Sequence, residues 1–342
     1  MKKKRIAING FGRIGRAAFK IAFEKQDIEV VAINDLTNAG VLAHLLQYDT
    51  AYGHYRKQVT VHDGKLVVDG REFSVYAEPD PTKLPWKELG VDVVLECTGR
   101  FTGKQSAAQH ITAGAKKVIL SAPSKGEDVS VPTFLFGVNE DAYADETVVS
   151  NASCTTNSLA PIAKVLDDAF GIEKAMMTTI HSYTADQNIQ DGPHEDLRRA
   201  RAAAQNIVPT TTGAAIAVTQ VMSGLKGRFD GIAVRVPTIV VSLTDFTFLL
   251  KRKTTRAEVN QILKEAAEYP QYQNVLAVTA APLVSSDFIG NPHSSIVDLS
   301  LTMVVDGDLV KVIAWYDNEW GYSNRLVELA QLIGSATYRS GV

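Results

Sequence analysis

Cysteine is nearly absent: among 342 residues only Cys97 and Cys154 occur, too few for a disulfide framework or a cysteine-rich metal site. A reducing, cytoplasmic setting fits that scarcity. An excess of either charge is missing too. Thirty-five Lys and Arg against 38 Asp and Glu leave a net charge of -3, which excludes the positive field that a general nucleic-acid or membrane-surface binder needs. Partners are expected to be small molecules or further copies of the chain. No apolar run is long enough to cross a bilayer, since the most apolar stretch is cut by Arg235 and Asp245. The basic opening Met1 to Arg5 looks like the start of a signal peptide, but the apolar residues after it stop at Asn9-Gly10 and meet Arg13 and Arg16, so no signal core forms. Repeats, linkers and low-complexity tracts are absent, and no histidine pair has metal-ligand spacing.

What is present is an ordinary globular composition, 45% hydrophobic and 21% charged, over a length that suits two domains. Residues 5–9 read as a strand running into glycines, Ile14 to Lys25 as an amphipathic helix, and 29–34 as a second β-branched strand. That is a parallel crossover unit. Further strands are expected at 65–68, 91–96 and 117–121, with a helix over 103–113. The alternation predicts a doubly wound α/β sheet over residues 1 to about 150. The second half differs. After a helix beginning near Cys154, long strands are expected at 174–180, 231–236, 239–250, 294–298 and 309–315, with the polar alternation of a sheet having one wetter face. A helix over 324–333 closes the chain.

Gly10-Phe11-Gly12-Arg13-Ile14-Gly15 matches G-x-G-x-x-G between strand and helix. The first glycine permits the tight turn, the second admits a pyrophosphate to the backbone, and the third lets helix pack on strand. Glycines are common in such turns anyway; here the second strand also ends in Asp35, where a carboxylate accepts hydrogen bonds from a ribose 2′-hydroxyl. Asp35 could instead cap a loop. A carboxylate repels a 2′-phosphate, so NAD is favoured over NADP. Glu96 to Arg100 and Leu120 to Pro123 end two later strands at the edge where cofactor contacts belong. Cys97 reads as a small buried hydrophobe.

Ser153-Cys154-Thr155-Thr156-Asn157 precedes an apolar helix over 159–170. A helix start there aims free amides at the sulfur and is expected to lower its pKa. A lone cysteine is usually inert and buried, but the flanking hydroxyl residues make a poor core and a good anion cradle. His181, at the end of a strand and the start of a polar loop, is the candidate proton partner, although a histidine so placed is more often a surface residue. His44, His54, His62, His110, His194 and His293 read as structural. Arg198-Arg199-Ala200-Arg201 before Pro209-Thr210-Thr211-Thr212-Gly213, and Arg235 in an apolar strand, suggest two oxyanions.

In these motifs the chain resembles the glyceraldehyde-3-phosphate dehydrogenase family. INGFGRIGR, IND at 33–35, ECTGRF, SAPS, SNASCTTNSLAP, HSYTADQ, LRRARAAAQNIVPTTTGAA, VRVPT and WYDNEWGYSNR occur in the family's order across nearly the whole length. The resemblance implies a Rossmann-type doubly wound parallel sheet plus an α+β catalytic domain with a mostly antiparallel sheet. The NAD-binding domain would comprise 1–152 and 320–342, and the catalytic domain 153–319, in a homotetramer without metal. It implies phosphorylating oxidation of glyceraldehyde 3-phosphate with NAD and inorganic phosphate. Cys154 would be the nucleophile and His181 the base. Thr184 and Arg235 would hold the substrate phosphate; Ser153, Thr155, Thr212 and Gly213 the attacking phosphate, with Arg199 serving both. Gly10, Phe11, Gly12, Arg13, Ile14, Asp35, Thr98, Ser121 and Asn318 would contact NAD. Departures from the family pattern are Pro79 for an arginine near the adenine, Gly192 for a leucine, Glu195 and Ile216 for lysines, and Ser158 for a second cysteine. Two rivals are erythrose-4-phosphate dehydrogenase, which has little use for inorganic phosphate, and a non-catalytic binding protein using the dinucleotide groove.

Overall fold

Three aliphatic residues at the centre of strand Lys4–Asn9 are fully buried, and that strand organises the first half of the chain. The computed structural model describes residues 3–124 and 131–334. The first sheet runs, in spatial order, Val148–Ser150, Lys117–Leu120, Val93–Glu96, Lys4–Asn9, Ile28–Asn34, Arg71–Tyr76, Lys65–Val68 and Val59–His62. The first six strands are parallel, and the last two add an antiparallel edge. Strand order reverses between Lys4–Asn9 and Val93–Glu96, so the loops after both strands diverge and leave a crevice at their carboxyl ends. Helix Arg13–Glu24 buries Ala17, Ala18, Phe19, Ile21 and Ala22.

The second sheet runs Val208–Thr210, Phe229–Val236, Ile172–Ser182, Ser242–Leu250, Leu309–Tyr316, Ser295–Asp298 and Leu276–Thr279, with Met303–Val305 also on Leu309–Tyr316. Most of its pairings are antiparallel; Ile172–Ser182 with Phe229–Val236, and Leu276–Thr279 with Ser295–Asp298, are parallel. The long helix Cys154–Phe170 buries Leu159, Ile162, Ala163 and Leu166. The described residues divide into two compact units, one drawn from 3–134, 141–152 and 323–334, the other from Leu135–Glu140 and Ser153–Tyr322.

The expected strands fall within a few residues of the observed ones, with two differences of consequence. Strand Ile172–Ser182 continues through His181 rather than stopping before it. The strand expected over 239–250 starts only at Ser242, because Val241 takes a left-handed conformation, φ 71°, that breaks the extended run. Residues 335–342, expected to belong with the nucleotide-binding half, lie outside the described residues, as do Met1 and Lys2.

Candidate active site

The crevice of the first sheet encloses about 290 Å³, bordered by Gly10, Gly12, Asp35, Thr98 and Pro79 among others. Gly10 has φ 90°, and a side chain there would strike the backbone at Thr98. A Cβ on Gly15 would collide with the Gly10 carbonyl oxygen, whereas one on Gly12 would project into open space. The three glycines thus do three jobs: turn, open approach and helix–strand contact. Asp35 is fixed by two backbone donors, Phe11 N–H to Oδ2 at 2.8 Å and Thr37 N–H to Oδ1 at 2.9 Å. Each oxygen keeps a lone pair for a diol. Ile14 follows in the first turn of helix Arg13–Glu24; the Arg13 guanidinium pairs with Asp49 at 3.1 Å. Ser121 follows strand Lys117–Leu120 beside the half-buried Cys97, whose thiol is pushed up by loss of water. This crevice fits a dinucleotide: a helix start with no side-chain cap, an open glycine and a half-used carboxylate.

Beneath it lies a buried polar network that sequence reasoning missed. Glu96 Oε2 accepts from Asn9 Nδ2 at 2.6 Å and from His110 Nε2 at 3.1 Å; Oε1 accepts from the Thr98 amide at 2.8 Å and from the Thr98 hydroxyl. Trp86 Nε1 can only donate, and it donates to His110 Nδ1 at 3.0 Å, so the His110 proton sits on Nε2. Asn34 Nδ2 donates to Asn9 Oδ1 at 2.7 Å. No spacing rule joins residues 9, 34, 86, 96 and 110; only the parallel sheet does.

In the second unit, Ser153 caps helix Cys154–Phe170, its hydroxyl accepting the Thr156 N–H at 3.0 Å. Cys154 is therefore the first helical residue. Its Sγ lies 3.5 Å from His181 Nε2. His181 is buried, and its Nδ1 lies 2.7 Å from the Ser182 carbonyl oxygen. A carbonyl only accepts, so Nδ1 carries the proton and Nε2 presents a lone pair to the sulfur. Parallel pairing sets His181 beside Arg235. Arg235 Nη1 donates to Thr184 Oγ1 at 2.7 Å.

The expected lowering of the thiol is not found. Burial pushes Cys154 up to about 11, outweighing the Thr155 hydrogen bond, Arg235 and the first helix amides. Burial, then Arg235, pushes His181 down to about 4. Withdrawal from water opposes both charged forms, and the geometry presents His181 Nε2 to the sulfur as the proton acceptor.

Thr155 turns its hydroxyl inward, sharing a 2.9 Å bond with Tyr316, whose hydroxyl meets Thr179 at 2.9 Å. Tyr316 also sets its ring edge-on to His181. Arg199 pairs with Asp186 at 2.5 Å and donates from Nε to Thr210 Oγ1 at 2.9 Å. The adjoining Thr212 hydroxyl accepts the Ala214 N–H at 3.2 Å, and Gly213 stands at the start of helix Ala214–Val221. Asn318 Oδ1 accepts from the hydroxyls of Ser182, 3.0 Å, and Ser242, 3.1 Å. Ser242 in turn accepts the Ser182 N–H at 3.2 Å and follows the strained Val241. Tyr316, Ser182 and Ser242 carry no sequence signal of their own beyond lying in the quoted motifs or the strand between them. Among the described residues no group of three or more His, Cys, Asp or Glu is placed to hold a metal ion, and no helix is long and apolar enough to cross a membrane.

A dinucleotide crevice on a parallel sheet, together with a half-buried cysteine against a buried histidine beside arginine and threonine anion groups, defines a dehydrogenase of the thiol-dependent kind. Comparison agrees. Residues 4–104 match the glyceraldehyde 3-phosphate dehydrogenase NAD binding domain, and 153–318 the C-terminal domain of the same family. The chain is 56% identical over 333 residues to glyceraldehyde-3-phosphate dehydrogenase of Geobacillus stearothermophilus, covering 97% of this chain and 98% of that one. It is 56% identical over 331 residues to glyceraldehyde-3-phosphate dehydrogenase 1 of Bacillus subtilis, covering 96% and 98%. The chain belongs to the glyceraldehyde-3-phosphate dehydrogenase family, and its cofactor is NAD.

Proposed function

We propose that this protein oxidises D-glyceraldehyde 3-phosphate to 1,3-bisphosphoglycerate, consuming inorganic phosphate. The observation that carries the proposal is the 3.5 Å approach of Cys154 Sγ to a His181 nitrogen whose lone pair is fixed toward it. In the first step Cys154 sulfur bonds to the aldehyde carbon, while His181 Nε2 takes the thiol proton and delivers it to the carbonyl oxygen. Oxidation of the resulting thiohemiacetal leaves a thioester on Cys154, His181 taking up the hydroxyl proton. The chemistry that NAD supplies when bound is hydride acceptance. A phosphate oxygen then attacks the thioester carbon, the C–S bond breaks, and His181 returns the proton to sulfur. A thioester keeps an electrophilic carbonyl, so the energy of oxidation passes to an acyl phosphate.

In this reading residues 1–152 and 320–342 carry the cofactor and 153–319 the chemistry. Gly10, Phe11, Gly12, Arg13, Ile14, Asp35, Thr98, Ser121 and Asn318 hold NAD. Thr184 and Arg235 hold the aldehyde's phosphate, and Ser153, Thr155, Thr212 and Gly213 the attacking one, with Arg199 serving both. The Thr155 hydroxyl is shared with Tyr316, so its share in phosphate binding falls mainly to its main-chain N–H. A cytoplasmic homotetramer is the expected form; the second sheet leaves Met176, Ile232, Met303 and Val305 exposed, which supports association of copies and is tested by the mass in solution. The activity is tested by NADH formation with glyceraldehyde 3-phosphate and with erythrose 4-phosphate, each with and without phosphate. Phosphate-dependent steady turnover, with only an acylation burst in its absence, is expected; full turnover without phosphate, or a higher kcat/KM with the four-carbon aldehyde, overturns the assignment.

A further inference from the structure

After strand Ile172–Ser182 the chain turns sharply, Gln187 N–H bonding back to the Thr184 carbonyl oxygen at 3.0 Å. The turn brings two side chains to one guanidinium. Arg235 Nη1 donates to Thr184 Oγ1 at 2.7 Å and to Gln187 Oε1 at 3.2 Å. The bond to Arg235 fixes the amide's orientation, because a guanidinium only donates. The other end of that amide, Nε2, is buried and has no hydrogen-bond partner among the described residues; Arg235 Nε is in the same condition. Gln187 as a whole is only 6% exposed. A buried N–H without a partner calls for an explanation, and here two such donors sit on side chains that meet at a single cationic group. The neighbouring Asp186 hydrogen-bonds Arg199 and acts on Arg235 only through space. Unpartnered donors around a positive charge with no carboxylate hydrogen-bonded to it are the features of an oxyanion site.

We propose that Gln187 is a third ligand of the substrate's phosphate: Oε1 pins the Arg235 guanidinium and Nε2 donates to a phosphate oxygen. The proposal rests on the assignment of that phosphate to Thr184 and Arg235. Glutamine suits both duties, since it accepts from arginine without neutralising it.

The readout is the ratio of kcat/KM for glyceraldehyde 3-phosphate to kcat/KM for unphosphorylated D-glyceraldehyde. Measured on one preparation, this ratio cancels the fraction of active enzyme, so a poorly folding variant still reports. Gln187→Leu should lower the ratio about 10- to 100-fold, the range of one hydrogen bond to a charged group. Gln187→Glu keeps an acceptor for Arg235 but loses the donor and adds an anion, so it should lower the ratio at least as far. A ratio within twofold of wild type in both variants overturns the proposal. So does retention by Gln187→Glu alone, which would leave Gln187 merely bracing Arg235. Arg235→Leu in the same assay separates the two layers. If it leaves the ratio intact, the underlying phosphate assignment fails; if it collapses the ratio while both Gln187 variants do not, only the role of Gln187 falls.

Discussion

Replacing Glu96 by glutamine changes one atom type and little volume, yet it should be among the more damaging substitutions in the first unit. The carboxylate accepts from four donors, two at each oxygen: the Thr98 amide and hydroxyl at Oε1, Asn9 Nδ2 and His110 Nε2 at Oε2. A glutamine NH2 must replace one oxygen, and in either orientation it faces two donors. Hydrogen bonds to charged groups contribute about 1.5–3 kcal/mol each. The Thr98 hydroxyl can rotate to accept, and a neutral amide is cheaper to bury than a carboxylate, which together bring the expected loss to about 2–4 kcal/mol. At roughly 2–4 °C per kcal/mol for a domain of this size, the melting temperature should fall by about 5–15 °C. Because Glu96 holds Thr98 against Gly10 at the edge of the crevice, NAD affinity should fall with it. Scanning calorimetry and an NAD titration measure the two effects. If the Glu96→Gln variant melts within about 1 °C of wild type and keeps its affinity for NAD, the donor inventory is refuted, and with it the tautomer assigned to His110.

Cys154→Ser should lose turnover by orders of magnitude while still binding NAD, because oxygen in place of sulfur is a far weaker nucleophile at neutral pH; near-normal activity would remove Cys154 from the mechanism. His181→Asn should keep the fold and lose about 10²–10⁴ in rate, with slower alkylation of Cys154 by iodoacetamide, and unchanged values of both would dissolve the pairing. Asp35→Gly should narrow the preference for NAD over NADP measured as kcat/KM, whereas a wild-type preference for NADP would contradict the role of the carboxylate. Thr212→Ala should raise KM for phosphate more than KM for the aldehyde, and equal effects on both would argue against two separate anion sites.

The first unit is readable because its signals are local. A glycine triplet, a strand on either side and an acidic strand end all fall within residues 5–35, and the parallel sheet follows from that unit's handedness. The second half is readable as strands but not as neighbours. Nothing in the order of residues says that His181 stands opposite Arg235, or that Tyr316 reaches Thr155 and Thr179; those are facts of register across distant strands. The position of Cys154 at a helix start is legible in the sequence, and its consequence for the thiol is not. The local amides are visible there, while the larger effect, loss of water around the sulfur, depends on the whole surrounding fold.

Val241 carries a consequence for how this position can change over time. Its φ of 71° costs a β-branched residue about 1–3 kcal/mol, and glycine would remove that strain. Yet the side chain is buried, 2% exposed, and deleting it forfeits about 1.5–3 kcal/mol of apolar burial. The two quantities nearly cancel, so thermodynamic stability scarcely distinguishes valine from glycine here. Selection for foldedness alone would let residue 241 drift. Selection for turnover would not, because the next residue, Ser242, holds both the Ser182 amide and Asn318, and a looser hinge before it would blur both. Libraries screened by heat and libraries screened by activity should therefore diverge at this one residue.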